Sequence, residues 1–106
     1  MIQRLEVDYQ ESATNDLANI FSYIVEAGGS VDAALQFVLR IEDRCRTIGN
    51  APRGGRARDD VMPELRTVPF EHSAVIAYLI EGDKILIVNV FYGGRDFEAL
   101  MRGNAS

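Results

Sequence analysis

The fold of this chain is decided by residues 73–92, SAVIAYLIEGDKILIVNVFY. Two runs rich in Val, Ile, Leu and aromatic residues, 73–80 and 85–92, flank Glu81-Gly82-Asp83-Lys84. Because Gly82 and Asp83 supply the backbone freedom that a tight connection needs, this pattern predicts a β-hairpin. Gly93 and Gly94 follow at once, so the chain can turn sharply and display Arg95 at the end of the strand.

The length and composition indicate one compact domain, residues 1–106, in a reducing compartment. Cys45 is the single cysteine, which excludes an internal disulfide, and its apolar surroundings predict a small buried side chain. The longest apolar runs, about ten residues, are far shorter than the roughly 20 that a membrane helix requires. We therefore expect a soluble, cytoplasmic protein.

The charge is unevenly distributed along the chain. The net charge of −5 argues against general attraction to nucleic acid, yet seven of the eleven basic residues lie between Arg40 and Arg66. Such a segment can form a local positive face. The favoured interpretation is that these cations form ion pairs within the protein, with carboxylates such as Asp59, Asp60 and Glu64.

Residues 5–9 alternate between apolar and polar, which predicts a short first strand. Ser12 or Thr14 is the expected N-cap of a helix. The core-facing row of that helix follows helical spacing: Leu17, Ile20, Phe21 and Ile24.

Gly28 and Gly29 are expected to end the first helix, and Ser30 is expected to cap a second one. The core-facing row of the second helix consists of Ala34, Phe37, Val38, Ile41, Cys45 and Ile48. The two helices are predicted to form an antiparallel hairpin.

Residues 49–64 read as a long loop, and 65–70 as a strand whose Pro69 suits an edge or a bulge. Phe97, Leu100 and Met101 predict a short C-terminal helical turn. Together these elements define an α+β fold, in which an N-terminal strand and a helix hairpin accompany a small, mainly antiparallel sheet.

The sequence offers little catalytic chemistry. His72 is the only histidine, and no serine or cysteine stands in a nucleophile motif. Asp59 and Asp60 are better interpreted as solvated groups than as metal ligands. Tyr78 and Tyr92 are better interpreted as packed side chains than as general bases. We therefore predict no catalytic residue, no metal site and no cofactor.

Several motifs in this order resemble the ParE branch of the RelE/ParE toxin superfamily. They are PRGGRAR at 52–58, Leu65-Arg66, Ala77-Tyr78 and Gly93-Gly94-Arg95-Asp96, in a chain that reads as strand, helix hairpin, Arg-containing loop and three-stranded sheet. The resemblance covers nearly the whole chain. It implies the toxin of a type II toxin–antitoxin pair, neutralised in a hetero-oligomer by a ParD-like antitoxin whose C-terminal region wraps the toxin.

Members of this superfamily either cleave mRNA on the ribosome, as RelE does, or inhibit DNA gyrase, as ParE does, so the site residues must decide. The RelE set implies basic groups at positions 66, 68, 75 and 95 and a tyrosine near 101. This chain has only Arg66 and Arg95, whereas the other places hold Val68, Val75 and Met101. Apolar side chains neither neutralise a phosphate nor move a proton, which favours a gyrase inhibitor that is not an enzyme.

The resemblance and the pattern of the residues suggest two binding surfaces. For the target, the expected contacts are Arg53, Arg56, Arg58, Arg66, Arg95, Phe97 and Met101. For the antitoxin, the expected contacts are apolar side chains that fall off the core-facing helix rows: Val25, Val31, Leu35 and Leu39. A partner that folds on binding could lay a helix beside the helix hairpin or add a strand to an open sheet edge.

The alternative functions are a RelE-type ribosome-dependent endoribonuclease and an inactive partner of a DNA-binding antitoxin. In either case sequence-specific DNA binding is expected of the antitoxin, not of this chain.

Overall fold

A computed structural model describes residues 4–93 of the chain. Its elements are β1 (Glu6–Tyr9), α1 (Glu11–Glu26), α2 (Val31–Ile48), β2 (Arg56–Ala57), β3 (Arg66–Phe70), β4 (Ala74–Glu81) and β5 (Lys84–Tyr92). The strands form one five-stranded sheet in the order β1-β5-β4-β3-β2. The α+β prediction is confirmed, whereas the helical turn predicted at Phe97, Leu100 and Met101 lies outside the described residues.

The hairpin at the centre of the sheet forms as the sequence predicts. Glu81 pairs with Lys84 across a two-residue turn in which Gly82 has a φ of +61°, a conformation that favours glycine. One irregularity in the register lies between Ala77 and Tyr78. The paired strands place residues 74–92 at the middle of the fold, with β1 on one side and β3 on the other.

The two outer parts of the sheet differ in how they pair. β1 runs parallel to β5, with Val7 opposite Ile85, so the sheet is mixed. β2 is a two-residue strand inside the segment predicted to be a loop, and it pairs only with Arg66 and Thr67 of β3. Among residues 4–93, no strand pairs with the outer side of β3 at Pro69, which suits a residue that has no backbone N–H.

The N-terminus of helix α1 differs from the prediction, because Ser12 bonds to β5 and does not cap the helix. Gln10 occupies the N-cap position without a side-chain cap bond, so the expectation of Ser12 or Thr14 as the cap is wrong. The Ser12 hydroxyl instead donates to the Val88 carbonyl at 2.6 Å. The preference of serine for helix N-caps comes from bonds to nearby backbone groups. Here the Ser12 hydroxyl bonds to a distant strand and is not available as a cap.

Helix α2 begins as predicted. The Ser30 hydroxyl accepts a hydrogen bond from the Ala33 N–H at 2.9 Å, and Gly28, with a φ of +97°, lies in the turn between the helices. The predicted core-facing row is confirmed: Ala34, Ile41, Cys45 and Ile48 are buried, and Phe37 and Val38 are half-buried. None of the helices within residues 4–93 combines the length and apolar character needed to cross a membrane.

Apolar side chains fill both faces of the sheet. The larger cluster lies between the sheet and the helices and includes Ile41, Ile76 and Ile85, each with no exposed surface. A smaller cluster, which includes Leu65 and Phe91, lies apart from it. Cys45 is fully buried, as predicted, and burial raises the pKa of its thiol to about 11.

Candidate functional site

A row of exposed apolar side chains runs along α2. Val31 is 61% exposed, Leu35 44% and Leu39 43%, although these are large aliphatic residues. They lie four residues apart along α2, so each neighbours the next on one stripe of the helix. We call Val31, Leu35 and Leu39 the apolar row. Their predicted exposure is confirmed, and their role in binding stays a prediction.

Two side chains of α1, Val25 and Tyr23, differ in exposure from what the sequence predicts. Val25, which was predicted to belong to this surface, lies at the C-terminal end of α1 and is only partly exposed. Tyr23 is 58% exposed and was not predicted. Because Tyr23 also falls off the core-facing row of α1, the argument that selected Val25 would have found it.

An aromatic chain connects this surface to the sheet. The Tyr23 and Tyr92 rings meet edge to face with centroids 5.7 Å apart, Tyr92 meets Phe37 at 5.3 Å, and Phe37 meets Phe70 at 5.6 Å. The Arg40 guanidinium lies 5.4 Å from the centroid of the Phe37 ring. Such pairs add to the stability that burial provides. The apolar row therefore lies on a helix, α2, that Phe37 packs against the sheet.

The Arg-bearing loop after α2 is held by two side chains from the sheet. The Tyr78 hydroxyl donates to the Pro52 carbonyl at 2.8 Å and accepts from the Gly55 N–H at 3.0 Å. The Arg66 guanidinium donates to the carbonyls of Arg53 at 3.1 Å and Gly55 at 2.9 Å. Two strands thus fix the loop backbone at adjacent points.

Tyr78 is a packed structural residue, as the sequence predicts. Its side chain has no exposed surface, and burial raises the pKa of its hydroxyl. An added Cβ at Gly55 would overlap the Tyr78 hydroxyl and lie 2.9 Å from its Cε1 atom. Gly55 is therefore the residue that lets the loop approach the ring so closely.

The arginines predicted to contact the target separate into two kinds. Arg58 is 8% exposed and forms a bidentate pair with Asp60, at 3.0 and 2.8 Å, so the ion-pair interpretation is correct for this residue. The Arg58 guanidinium therefore stabilises the loop and is not accessible as a contact for a partner. Arg53 and Arg56 are exposed and have no ion pair among residues 4–93. Arg95, Phe97 and Met101 lie outside the described part of the chain.

Three places of the RelE set, positions 66, 68 and 75, lie within the described residues, and they hold one arginine and two valines. Val68 is 5% exposed within the helix-side core, and Val75 is half-buried. Arg66 is half-buried and bonded to the loop carbonyls. His72 is exposed in the turn after β3, where its φ is +56°. Within residues 4–93, no three His, Cys, Asp or Glu side chains lie close enough together to hold a metal ion.

Comparisons with known proteins point to one family. Residues 7–97 match the family model described as the ParE toxin of the type II toxin–antitoxin system parDE. No curated protein matches the chain.

Two solved structures share the fold. A chain from the chromosomal ParDE toxin–antitoxin system of P. aeruginosa is 21% identical, with a TM-score of 0.74, over 86% of this chain and 98% of that one. A conserved hypothetical protein from Helicobacter pylori, solved in solution, is 14% identical, with a TM-score of 0.52, over 83% of this chain and 93% of that one.

Proposed function

Because this chain belongs to the ParE toxin family of type II toxin–antitoxin systems, we propose that a ParD-like antitoxin neutralises it by covering the apolar row and that the free toxin inhibits DNA gyrase by binding. The antitoxin part rests mainly on one observation, the exposure of Val31, Leu35 and Leu39 on α2, which the aromatic chain holds against the sheet. Aliphatic side chains clustered on a surface usually mark an interface. A helix of the antitoxin would bury them by the helix-in-groove mode.

Leu35 provides the test of the antitoxin surface. Leu35→Asp places a charge in the middle of the apolar row, so the affinity for the antitoxin should fall at least about tenfold, since burying one leucine contributes roughly 1.5–3 kcal/mol. Gln36→Asp introduces the same carboxylate at the next exposed position and is the matched control. Isothermal titration calorimetry with the purified antitoxin measures the dissociation constant of each toxin variant. Equal affinities for the two variants would contradict the proposed surface.

The target part of the proposal rests on the exposed arginines. Arg53 and Arg56 present positive charge on a loop that Tyr78 and Arg66 hold in place. Preformed cationic groups of this kind suit an acidic patch on a protein partner, and arginine is enriched in such interfaces. Since the described residues at the RelE positions lack proton-transfer groups, inhibition by binding is the activity that the geometry supports best.

Supercoiling of a relaxed plasmid by gyrase tests this activity directly. The wild-type toxin should block supercoiling, and Arg53→Glu/Arg56→Glu should relieve the block while the affinity for the antitoxin is kept. Arg4→Glu reverses an exposed arginine elsewhere on the molecule and should retain inhibition. Intact supercoiling together with mRNA cut on the ribosome would instead establish the nuclease alternative, and no effect in either assay would favour an inactive partner.

A further inference from the structure

Carboxylates border the apolar row on α2. Asp32 is three residues before Leu35, and Glu42 is three residues after Leu39, so each acid lies beside the end of the row. Asp32 is exposed and Glu42 is half-buried. From this arrangement we infer that the segment that covers the apolar row is a cationic amphipathic helix, with Lys or Arg on both sides of its own apolar stripe. The inference rests on the proposed function and specifies the chemistry of the antitoxin.

The acidic border continues beyond the end of the row. Past Leu39, a shallow cleft of about 260 Å³ is lined by Leu5, Glu6, Val7, Tyr9, Glu42 and Arg46. It lies beside β1, the edge strand, which pairs within the described sheet only with β5. Glu6 and Asp8 are exposed along this strand. A partner that follows the row toward the sheet edge therefore meets Glu42 and Glu6, with Arg46 between them as the cation of the cleft.

Cations within the protein neutralise only part of this charge. Arg46 pairs with Asp43, and Lys84 pairs with Asp8 at 3.3 Å. Asp32, Glu42 and Glu6 have no ion pair among residues 4–93. An acidic helix on this surface would be repelled, whereas a basic helix would gain both attraction and selectivity.

The basic residues of α2 offset the charge of this border only in part. The Arg40 guanidinium is hydrogen-bonded to the Glu71 carboxylate at 2.8 and 3.0 Å. Arg44 donates to the neutral Thr47 hydroxyl at 2.8 Å and keeps its positive charge. Three exposed cations have no ion pair among residues 4–93: Arg53 and Arg56 belong to the segment after α2, and Arg4 precedes β1. The molecule thus presents an acidic helix surface and a basic loop surface, which select partners of opposite charge.

The spacing of the two acids sets the pattern expected in the partner. Asp32 and Glu42 are ten residues apart, which is about 15 Å along a helix at 1.5 Å per residue. A helix lying along α2 should therefore carry its flanking cations about three turns apart.

Two synthetic helical peptides test the inference against the full-length toxin. Both carry the same leucine stripe, and they differ only at two flanking positions ten residues apart, which hold Lys in one peptide and Glu in the other. Fluorescence anisotropy at low salt should show the Lys peptide binding about tenfold more tightly, since each exposed charge pair contributes up to about 1 kcal/mol. The ratio should shrink in 0.5 M salt because exposed charges are screened.

Charge reversal decides whether the two acids carry this preference. Asp32→Lys/Glu42→Lys should invert the order of the two peptides, whereas Asp83→Lys at the exposed hairpin tip should leave it unchanged. Equal binding of both peptides to the wild type, no detectable binding of either, or a preference that survives the reversal would overturn the inference. Leu35→Asp should weaken both peptides equally, and if it affects neither, the proposed antitoxin surface itself is wrong.

Discussion

Replacing Tyr78 by Phe removes a single oxygen atom that joins the sheet to the Arg-bearing loop. That hydroxyl donates to the Pro52 carbonyl and accepts from the Gly55 N–H. Gly55 is buried, so its N–H has no access to water once the hydroxyl is gone. Pro52 is half-buried, so its carbonyl can exchange the lost bond for water more easily.

The size of the effect follows from these two groups. A buried donor left without a partner costs about 1–3 kcal/mol, and a hydrogen bond whose acceptor reaches water contributes about 0.5–1.5 kcal/mol. The free energy of unfolding should therefore fall by about 2–3 kcal/mol, which corresponds to a drop in Tm of roughly 10 °C for a domain of this size. The Arg66 bonds to the same loop persist and keep the loss from becoming larger.

Urea denaturation followed by circular dichroism measures the loss. Tyr92→Phe is the matched control, because the Tyr92 hydroxyl has no hydrogen-bond partner among residues 4–93, and it should change the free energy of unfolding by less than about 0.5 kcal/mol. If Tyr78→Phe is no more destabilising than Tyr92→Phe, the hydroxyl does not clamp the loop. Because the clamp holds the loop that carries Arg53, the proposed inhibition of gyrase should also weaken, while the proposed binding of an antitoxin should not.

Three further predictions concern the stability contributed by Gly55, Asp16 and Cys45. Gly55→Ala should destabilise the protein by about 1–3 kcal/mol, because its Cβ would displace the Tyr78 ring, and unchanged urea denaturation would contradict that contact. Asp16→Ala should cost about 2 kcal/mol, because the carboxylate accepts from the Val90 N–H and an Asn89 side-chain N–H, both at 2.9 Å, and a loss near zero would show that α1 is not anchored there. Burial raises the pKa of the Cys45 thiol from 9.0 to about 11, so the stability that its protonation provides is complete below pH 9 and is lost, by up to about 3 kcal/mol, as the pH rises to 11. Urea denaturation at pH 8 and pH 10.5 should show this fall in the wild type and a smaller one in Cys45→Ala, and equal falls would exclude the thiol as the cause.

The regular elements could be predicted because their signals are local. The hairpin at 73–92 follows from two β-forming runs and a flexible turn, and the cap of α2 follows from Ser30 at a helix start. The exposure of the apolar row also follows from periodicity, since a helix has room for only one core-facing stripe. In each case the residues that decide the outcome are close together in sequence.

Other features depended on residues far apart in the chain. Ser12 reads as a cap, yet its hydroxyl bonds Val88, 76 positions away. The two-residue strand β2 forms only because β3 lies alongside it.

Local patterns of residues are sufficient to predict the two helices and the central hairpin, and the motifs are sufficient to predict the ParE toxin family. Which polar groups support the interior and which stay on the surface depends on the packing of distant segments. Tyr78 and Arg66 hold the loop because the sheet brings them beside Pro52 and Gly55, a proximity that no local pattern encodes. The physical reason is that a helix or turn is selected by neighbouring residues, whereas the partner of a polar side chain is selected by burial, and burial is fixed only when distant segments pack together.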